Sequence, residues 1–183
     1  MKKQLKVKEN IVLTGFMGTG KTSCGIIVAG KTWRKFVDTD TLIEQAAGKS
    51  VREIFEENGE KYFRRLERKI IAAVSAEKGL VIATGGGAVM SPANIRNLRK
   101  KGKIIALAAD EKTILKRIFT KRLERPLVEA GTKKAVLHKI QKLLKARLPV
   151  YVTFADFVID TSKLSPGATA KKVLCLLKAP RIK

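Results

Sequence analysis

Short apolar runs alternate with stretches of helical periodicity along this chain. Ile11-Val12-Leu13-Thr14 reads as a buried strand that runs into a glycine-rich turn. A helix is expected to begin near Lys21 and fade near Gly30, a helix-ending glycine. Phe36-Val37 is a second short strand. Thr41-Leu42-Ile43-Glu44 and Ser50-Val51-Arg52-Glu53 both have capping-box spacing, so a short helix is expected at each. A longer helix over 59–78 carries Phe63, Leu66, Ile70 and Val74 on one stripe. Leu80-Val81-Ile82-Ala83 is a third strand, running toward Gly85-Gly86-Gly87. Ser91-Pro92 opens the next helix, with proline at the first helical position. A fourth strand covers 103–107, and Asp110 caps a helix running toward Thr120. Residues 121–132, with Pro126 and Gly131, lack periodicity and read as a loop. A helix from 133 to about 151, the strand Phe157-Val158-Ile159, and a helix opened by Ser165-Pro166 complete the pattern. Strands alternating with helices imply a parallel sheet covered on both faces, an α/β layer fold.

At 183 residues, the chain has the length of a single domain. Hydrophobic residues at 45% and charged residues at 30% exclude a disordered chain. Lys and Arg number 39 against 16 Asp and Glu, a net charge of +23, so surface ion-pair networks are not the main use of these bases. Such a field favours anionic partners: nucleotides, acidic metabolites, nucleic acid or a membrane surface; the plainer reading is a basic cytosolic enzyme whose solvated faces are rich in Lys. The bases are scattered, and aromatics at 5% give little stacking surface for single-stranded nucleic acid, so no specific nucleic-acid partner is expected. Cys24 and Cys175 make neither a disulfide scaffold nor a zinc site, and each is expected to be a small buried hydrophobe in a reducing compartment. The basic start is followed by an apolar run too short for a signal peptide, and no stretch is long enough for a membrane span.

Gly15-Phe16-Met17-Gly18-Thr19-Gly20-Lys21-Thr22 fits G-x-x-x-x-G-K-[ST], with a strand before it and a helix after it. Glycines let consecutive N–H groups turn inward around phosphate oxygens, and the helix N-terminus adds positive potential. Lys21 reaches the outer phosphates, and the Thr22 hydroxyl is a hard ligand for Mg²⁺. The motif specifies a purine nucleoside triphosphate with magnesium and leaves the phosphate acceptor open.

Asp38-Thr39-Asp40 follows the second strand, at the carboxyl edge where open α/β sheets bind ligands. In an extended segment both acids point the same way, one toward magnesium and one toward an acceptor hydroxyl; as helix-capping acids they would need no ligand. Arg64 lies between Glu60 and Glu67 at helical spacing, which an ordinary solvated ion pair explains. Arg147 is different. It falls seven, four and three residues after Ile140, Leu143 and Leu144, on the apolar face, while His138, Gln141, Lys142 and Lys145 share the wet face. A guanidinium on that inward stripe needs an anion, from the protein or from a ligand. Gly85-Gly86-Gly87 lets a ligand touch the main chain or forms a plain turn. Arg125 in the non-periodic segment either closes over a phosphoryl group or is one more surface arginine.

This ordered set resembles the shikimate kinase family over nearly the whole chain. The resemblance runs through the phosphate loop, Phe36-Val37-Asp38-Thr39-Asp40, Ile54-Phe55 with Gly59-Glu60, and Phe63-Arg64-Arg65-Leu66-Glu67. It continues in Thr84-Gly85-Gly86-Gly87-Ala88-Val89, Arg125-Pro126-Leu127 and Arg147-Leu148-Pro149-Val150-Tyr151. It implies one P-loop kinase domain over 1–183: a three-layer α/β/α sandwich with a five-stranded parallel sheet, a mobile lid near 117–132 and a shikimate-binding region over 38–67. It also implies ATP- and Mg²⁺-dependent phosphorylation of the shikimate 3-hydroxyl on the route to chorismate and the aromatic amino acids, by a cytoplasmic monomer. By position, Asp40 holds the acceptor hydroxyl, while Arg64, Arg147 and the Gly85-Gly86-Gly87 main chain hold shikimate. Thr22 and Asp38 serve magnesium. Gly18, Thr19, Gly20, Lys21, Thr22 and Ser23 hold phosphate, Arg117 lies by the adenine, and Arg125 is the lid arginine. Lys21, Asp40 and Arg125 form the catalytic set. The chain departs from the family at Ile26-Ile27-Val28-Ala29-Gly30-Lys31-Thr32-Trp33-Arg34, where the family continues with an arginine and a leucine-rich helix. Two other readings stay open: another small-molecule kinase of the same fold, and a basic P-loop ATPase that holds nucleic acid.

Overall fold

The computed structural model describes residues 9–120 and 133–178, with the backbone alone at 133–136. Five strands form one sheet: β1 (Asn10–Thr14), β2 (Lys35–Asp38), β3 (Leu80–Ala83), β4 (Gly102–Ala108) and β5 (Phe157–Asp160). Their order is β2-β3-β1-β4-β5, and every pair is parallel. The helices between them are α1 (Lys21–Thr32), α2 (Thr39–Ala47), α3 (Val51–Ala76), α4 (Pro92–Lys101), α5 (Glu111–Thr120), α6 (Lys133–Phe154) and α7 (Pro166–Leu176).

The two-residue period of the strands divides the core into two layers. Val12, Ile82 and Ile104 point to one face, where they meet Ile71, Ile95, Leu98, Ile114 and Ile140 from α3, α4, α5 and α6. Ile11, Leu13, Val81, Ile105 and Leu107 point to the other face, against Cys24 and Val28 of α1 and Val173 of α7. A third small core of Ile43, Ile54 and Phe63 joins α2 to the first half of α3, outside the sheet. Central β1 is flanked by β3 and β4; the chain leaves β1 toward β2 on one side and leaves β3 toward β4 on the other, so the two connections diverge between β1 and β3. The crevice at their carboxyl ends is the topological switch point at which such sheets bind ligands.

Local signals explain most boundaries. Ser50 and Glu53 form the full capping box of α3. Gly59, at φ 77°, interrupts that helix with a non-helical residue, so the two helical segments expected on either side of it are continuous across a kink. Asp110 accepts from the Thr113 amide at the head of α5, and Ser165 accepts from the Ala168 amide at the head of α7.

Three expectations are corrected. First, α1 passes Gly30 and ends at Thr32, and the left-handed residue after it is Trp33 (φ 56°), whose N–H bonds Ala29 O. Second, α2 starts at Thr39 and not at Thr41, because Asp38 is its cap and accepts from the Asp40 amide at 3.1 Å. The acids are therefore a cap and a first-turn residue, not neighbours on an extended segment. Third, Cys24 is buried, and burial pushes its thiol up to about 11, whereas Cys175 is exposed.

Candidate active site

The phosphate loop links β1 to α1 and takes its shape from glycines. Gly15, Gly18 and Gly20 all have positive φ, at 139°, 80° and 92°. A Cβ on Gly15 would overlap Leu107 O, so the loop closes against the β4 backbone. Lys21 folds its ammonium over the loop and donates to Gly15 O and Phe16 O, both at 2.9 Å. The Thr22 hydroxyl donates to Asp38 Oδ2 at 2.9 Å, which ties the first turn of α1 to the end of β2. These are hard oxygen donors at the mouth of a phosphate cradle. They fit Mg²⁺, which takes one or two protein oxygens and completes its shell with phosphate and water. Among the described residues, no group of three or more His, Cys, Asp or Glu could hold a metal ion.

Arg117, near the end of α5, donates to Gly18 O at 3.2 Å and to Thr161 O at 2.7 Å. The Thr161 N–H donates to Ala108 O at 2.8 Å and its hydroxyl donates to Thr19 O at 3.1 Å, so the loop after β5 is tied to the phosphate loop. Arg117, Thr161, Leu164, Pro166 and Thr169 line this end of a cavity of about 1010 Å³. The stretch 117–120, expected in the lid, is the end of α5. Arg125 and 121–132 lie outside the described residues.

The opposite end of the same cavity is lined by Asp40, Arg64, Glu67, Gly85, Gly86, Gly87 and Arg147. These residues come from α2, α3, the turn after β3, and α6. The Gly85 N–H donates to the Thr39 hydroxyl at 3.0 Å, and a Cβ on Gly85 would overlap Asp40 Oδ1. A Cβ on Gly87 would sit 2.5 Å from Arg64 Nη2, and one on Gly86 would sit 3.8 Å from Arg147 Nη1. The turn therefore passes Asp40, Arg147 and Arg64 in succession, and glycine permits the close approach to Asp40 at Gly85 and to Arg64 at Gly87.

Arg64 keeps its helical ion pairs and also faces the cavity. It donates to Glu60 at 3.1 Å and to both Glu67 oxygens, at 2.9 and 3.0 Å. Glu67 is only 1% exposed. Burial raises its pKa above the usual carboxylate range, against the opposing pull of Arg64. Burial acts against the Arg64 charge too, but Glu67 and Glu60 outweigh it and hold the guanidinium pKa up. The Tyr151 hydroxyl donates to Gly86 O and interacts with Arg147; burial pushes this phenol up to about 12. Arg147 is half-buried on the cavity wall, while His138 is exposed.

The structure thus gathers Asp38, Asp40, Arg64, Gly85, Gly86, Gly87, Arg117 and Arg147 around one cavity with the phosphate loop. Sequence reasoning gave no role to Glu67, Tyr151, Thr39 or Thr161. The one available signal was Glu67, three residues after Arg64, and it reads as a surface pair.

The chain is also similar to known proteins over nearly its whole length. Residues 17–178 match the family model described as shikimate kinase. A shikimate kinase of Caldanaerobacter subterraneus subsp. tengcongensis is 48% identical over 166 residues, which cover 91% of this chain and 94% of that one. A shikimate kinase of Thermoanaerobacter pseudethanolicus is 45% identical, with 91% and 94% covered. The solved shikimate kinase of Acinetobacter baumannii, in complex with shikimate, superposes with a TM-score of 0.90 at 33% identity, covering 99% of both chains. The phosphate cradle, the facing arginines and this extent of similarity together make the chain a member of the shikimate kinase family.

Proposed function

We propose that this chain transfers the γ-phosphoryl group of ATP to the 3-hydroxyl of shikimate, within the biosynthesis of chorismate and the aromatic amino acids. One observation carries the reading: Asp40, Arg64 and Arg147 meet the glycine turn in the same cavity as the phosphate loop. A carboxylated ring alcohol needs such a site, with cations for its carboxylate and a carboxylate for its reacting hydroxyl.

Phosphoryl transfer passes through a loose transition state, so the protein chiefly positions groups and balances charge. The phosphate-loop N–H groups of 18–23 and Lys21 hold the triphosphate. Thr22 and Asp38 would hold Mg²⁺, which supplies charge neutralisation on the phosphate oxygens. Arg64 and Arg147 grip the shikimate carboxylate in charge-assisted bonds, and the Gly86 main chain braces the ring. Asp40 orients the hydroxyl in line with the phosphoryl group and takes its proton as transfer completes. Arg117 holds the loops around the base. Arg125, assigned from sequence, completes the charge around the transferring group.

No helix among the described residues is long and apolar enough to cross a membrane. A cytoplasmic monomer is part of this reading; the two free thiols suit a reducing compartment. The test is a coupled ADP-release assay with ATP and, in turn, shikimate, gluconate, a nucleoside monophosphate and single-stranded nucleic acid. Turnover with shikimate alone is expected. Turnover with another acceptor and none with shikimate would overturn the assignment.

A further inference from the structure

We propose that Lys139 is a product-binding cation on the acceptor side, which holds the phosphate of the phosphorylated product and makes no contact with the free alcohol. The inference rests on the function proposed above and adds a residue to it. Lys139, Leu143 and Arg147 are spaced at i, i+4 and i+8 on α6, and all three line the cavity. The helix phase is fixed by buried Ile140 and by exposed His138, Gln141, Lys142 and Lys145. Lys139 precedes Arg147 by eight residues, about 12 Å along the axis at 1.5 Å per residue.

The two ends of that stripe face different chemistry. Arg147 stands against Gly86, whose carbonyl accepts from Tyr151 one turn further on. Lys139 lies in the stretch of α6 that packs on α5. There Ile140 shares a core with Ile114 and Ile118, and Gln141 donates to Glu111 at 2.6 Å. The same α5 carries Arg117, bonded to Gly18 of the phosphate loop. The α6 wall therefore runs from the acceptor-carboxylate end toward the phosphate loop. α6 contains no acidic residue, so nothing within the helix neutralises Lys139.

In the transfer, the bond from phosphorus to the ADP oxygen breaks, a bond to the acceptor oxygen forms, and the hydroxyl proton passes to Asp40. Lys139 neither gives nor takes a proton. Before transfer the phosphoryl group belongs to the nucleotide, where Lys21 serves it. Afterwards it is a phosphate monoester on a ring whose carboxylate already occupies Arg64 and Arg147. An ammonium on a flexible stem, on the same wall and nearer the phosphate loop, suits that new dianion.

Calorimetric titration of shikimate and of shikimate 3-phosphate into the wild type, Lys139→Ala and Lys139→Arg tests this. Lys139 is exposed, so neither change opens a cavity in the core. Lys139→Ala is expected to weaken shikimate 3-phosphate roughly tenfold and to leave shikimate within about twofold, with Lys139→Arg retaining most of the product affinity. Unchanged product affinity would overturn the assignment. Equal weakening of both ligands would also overturn it, because that marks an effect on pocket shape. A wild type that binds neither ligand would instead overturn the function itself, and this assignment with it.

Discussion

At the nucleotide end of the cavity, eight consecutive residues make the phosphate cradle, and their main chain sets its shape. At the acceptor end, Asp40, Arg64, Gly86 and Arg147 arrive from four separate segments and act mainly through side chains. The first region is rigid because backbone packs on backbone, as Gly15 does on Leu107. The second is held by side-chain bonds: Arg64 to Glu60 and Glu67, Tyr151 to Gly86, and Thr39 to Gly85. Damage to the nucleotide end should therefore be global, and damage to the acceptor end selective.

Gly15→Ala should have the largest effect. The residue sits at φ 139° and its Cβ would overlap Leu107 O, so the loop and β4 must part. A loss of about 3 kcal/mol or more is expected, together with loss of ATP binding, by denaturant unfolding and nucleotide titration. Normal stability would mean that the loop does not depend on that contact. Asp40→Asn comes next, because the amide keeps the shape beside Gly85 but cannot accept the proton. Turnover should fall about 10²–10⁴-fold with ATP affinity unchanged, and near-normal turnover would remove Asp40 from the chemistry.

Arg147→Ala should raise the shikimate Michaelis constant roughly 10- to 100-fold with turnover little changed, since the proposed carboxylate contact would be made both before and during transfer. An unchanged constant would make the residue structural.

Glu67→Gln should have the smallest effect, and one specific to pH. Burial raises the folded pKa of Glu67 above the ordinary value of 4.5, so the folded state holds that proton more tightly than the unfolded state. Its contribution to stability is full below pH 4.5 and is lost as pH rises through the folded pKa. The glutamine variant should flatten this decline in an unfolding series taken upward from pH 4. An unaltered slope would show that the Arg64 pairing cancels the burial cost.

The same contrast explains what the sequence revealed. The phosphate loop is contiguous, so its glycines, lysine and threonine can be read off as a unit between a strand and a helix. The five strands follow from apolar runs bounded by turn residues. Arg147 was legible through its phase on an otherwise apolar stripe. Glu67 was not, because helical spacing from Arg64 is the same whether the pair faces water or a closed cavity. Tyr151 and Gly86 lie 65 residues apart, and no local pattern links them. Asp38 was readable as an acid but not as the cap of α2, since the capping-box spacing at Thr41 offered a competing start. Trp33 occupies a left-handed position that glycine usually fills, and so the sequence signals a helix end at Gly30 instead.

The central claim is that a triphosphate and a carboxylated ring alcohol share this cavity with Asp40 between them. A crystal structure with ADP and shikimate bound tests it most directly. The account predicts the shikimate carboxylate on Arg64 and Arg147, with the 3-hydroxyl about 2.6–3.2 Å from an Asp40 oxygen and facing the phosphate loop. A carboxylate bound away from both arginines, or a 3-hydroxyl turned away from Asp40, would contradict it.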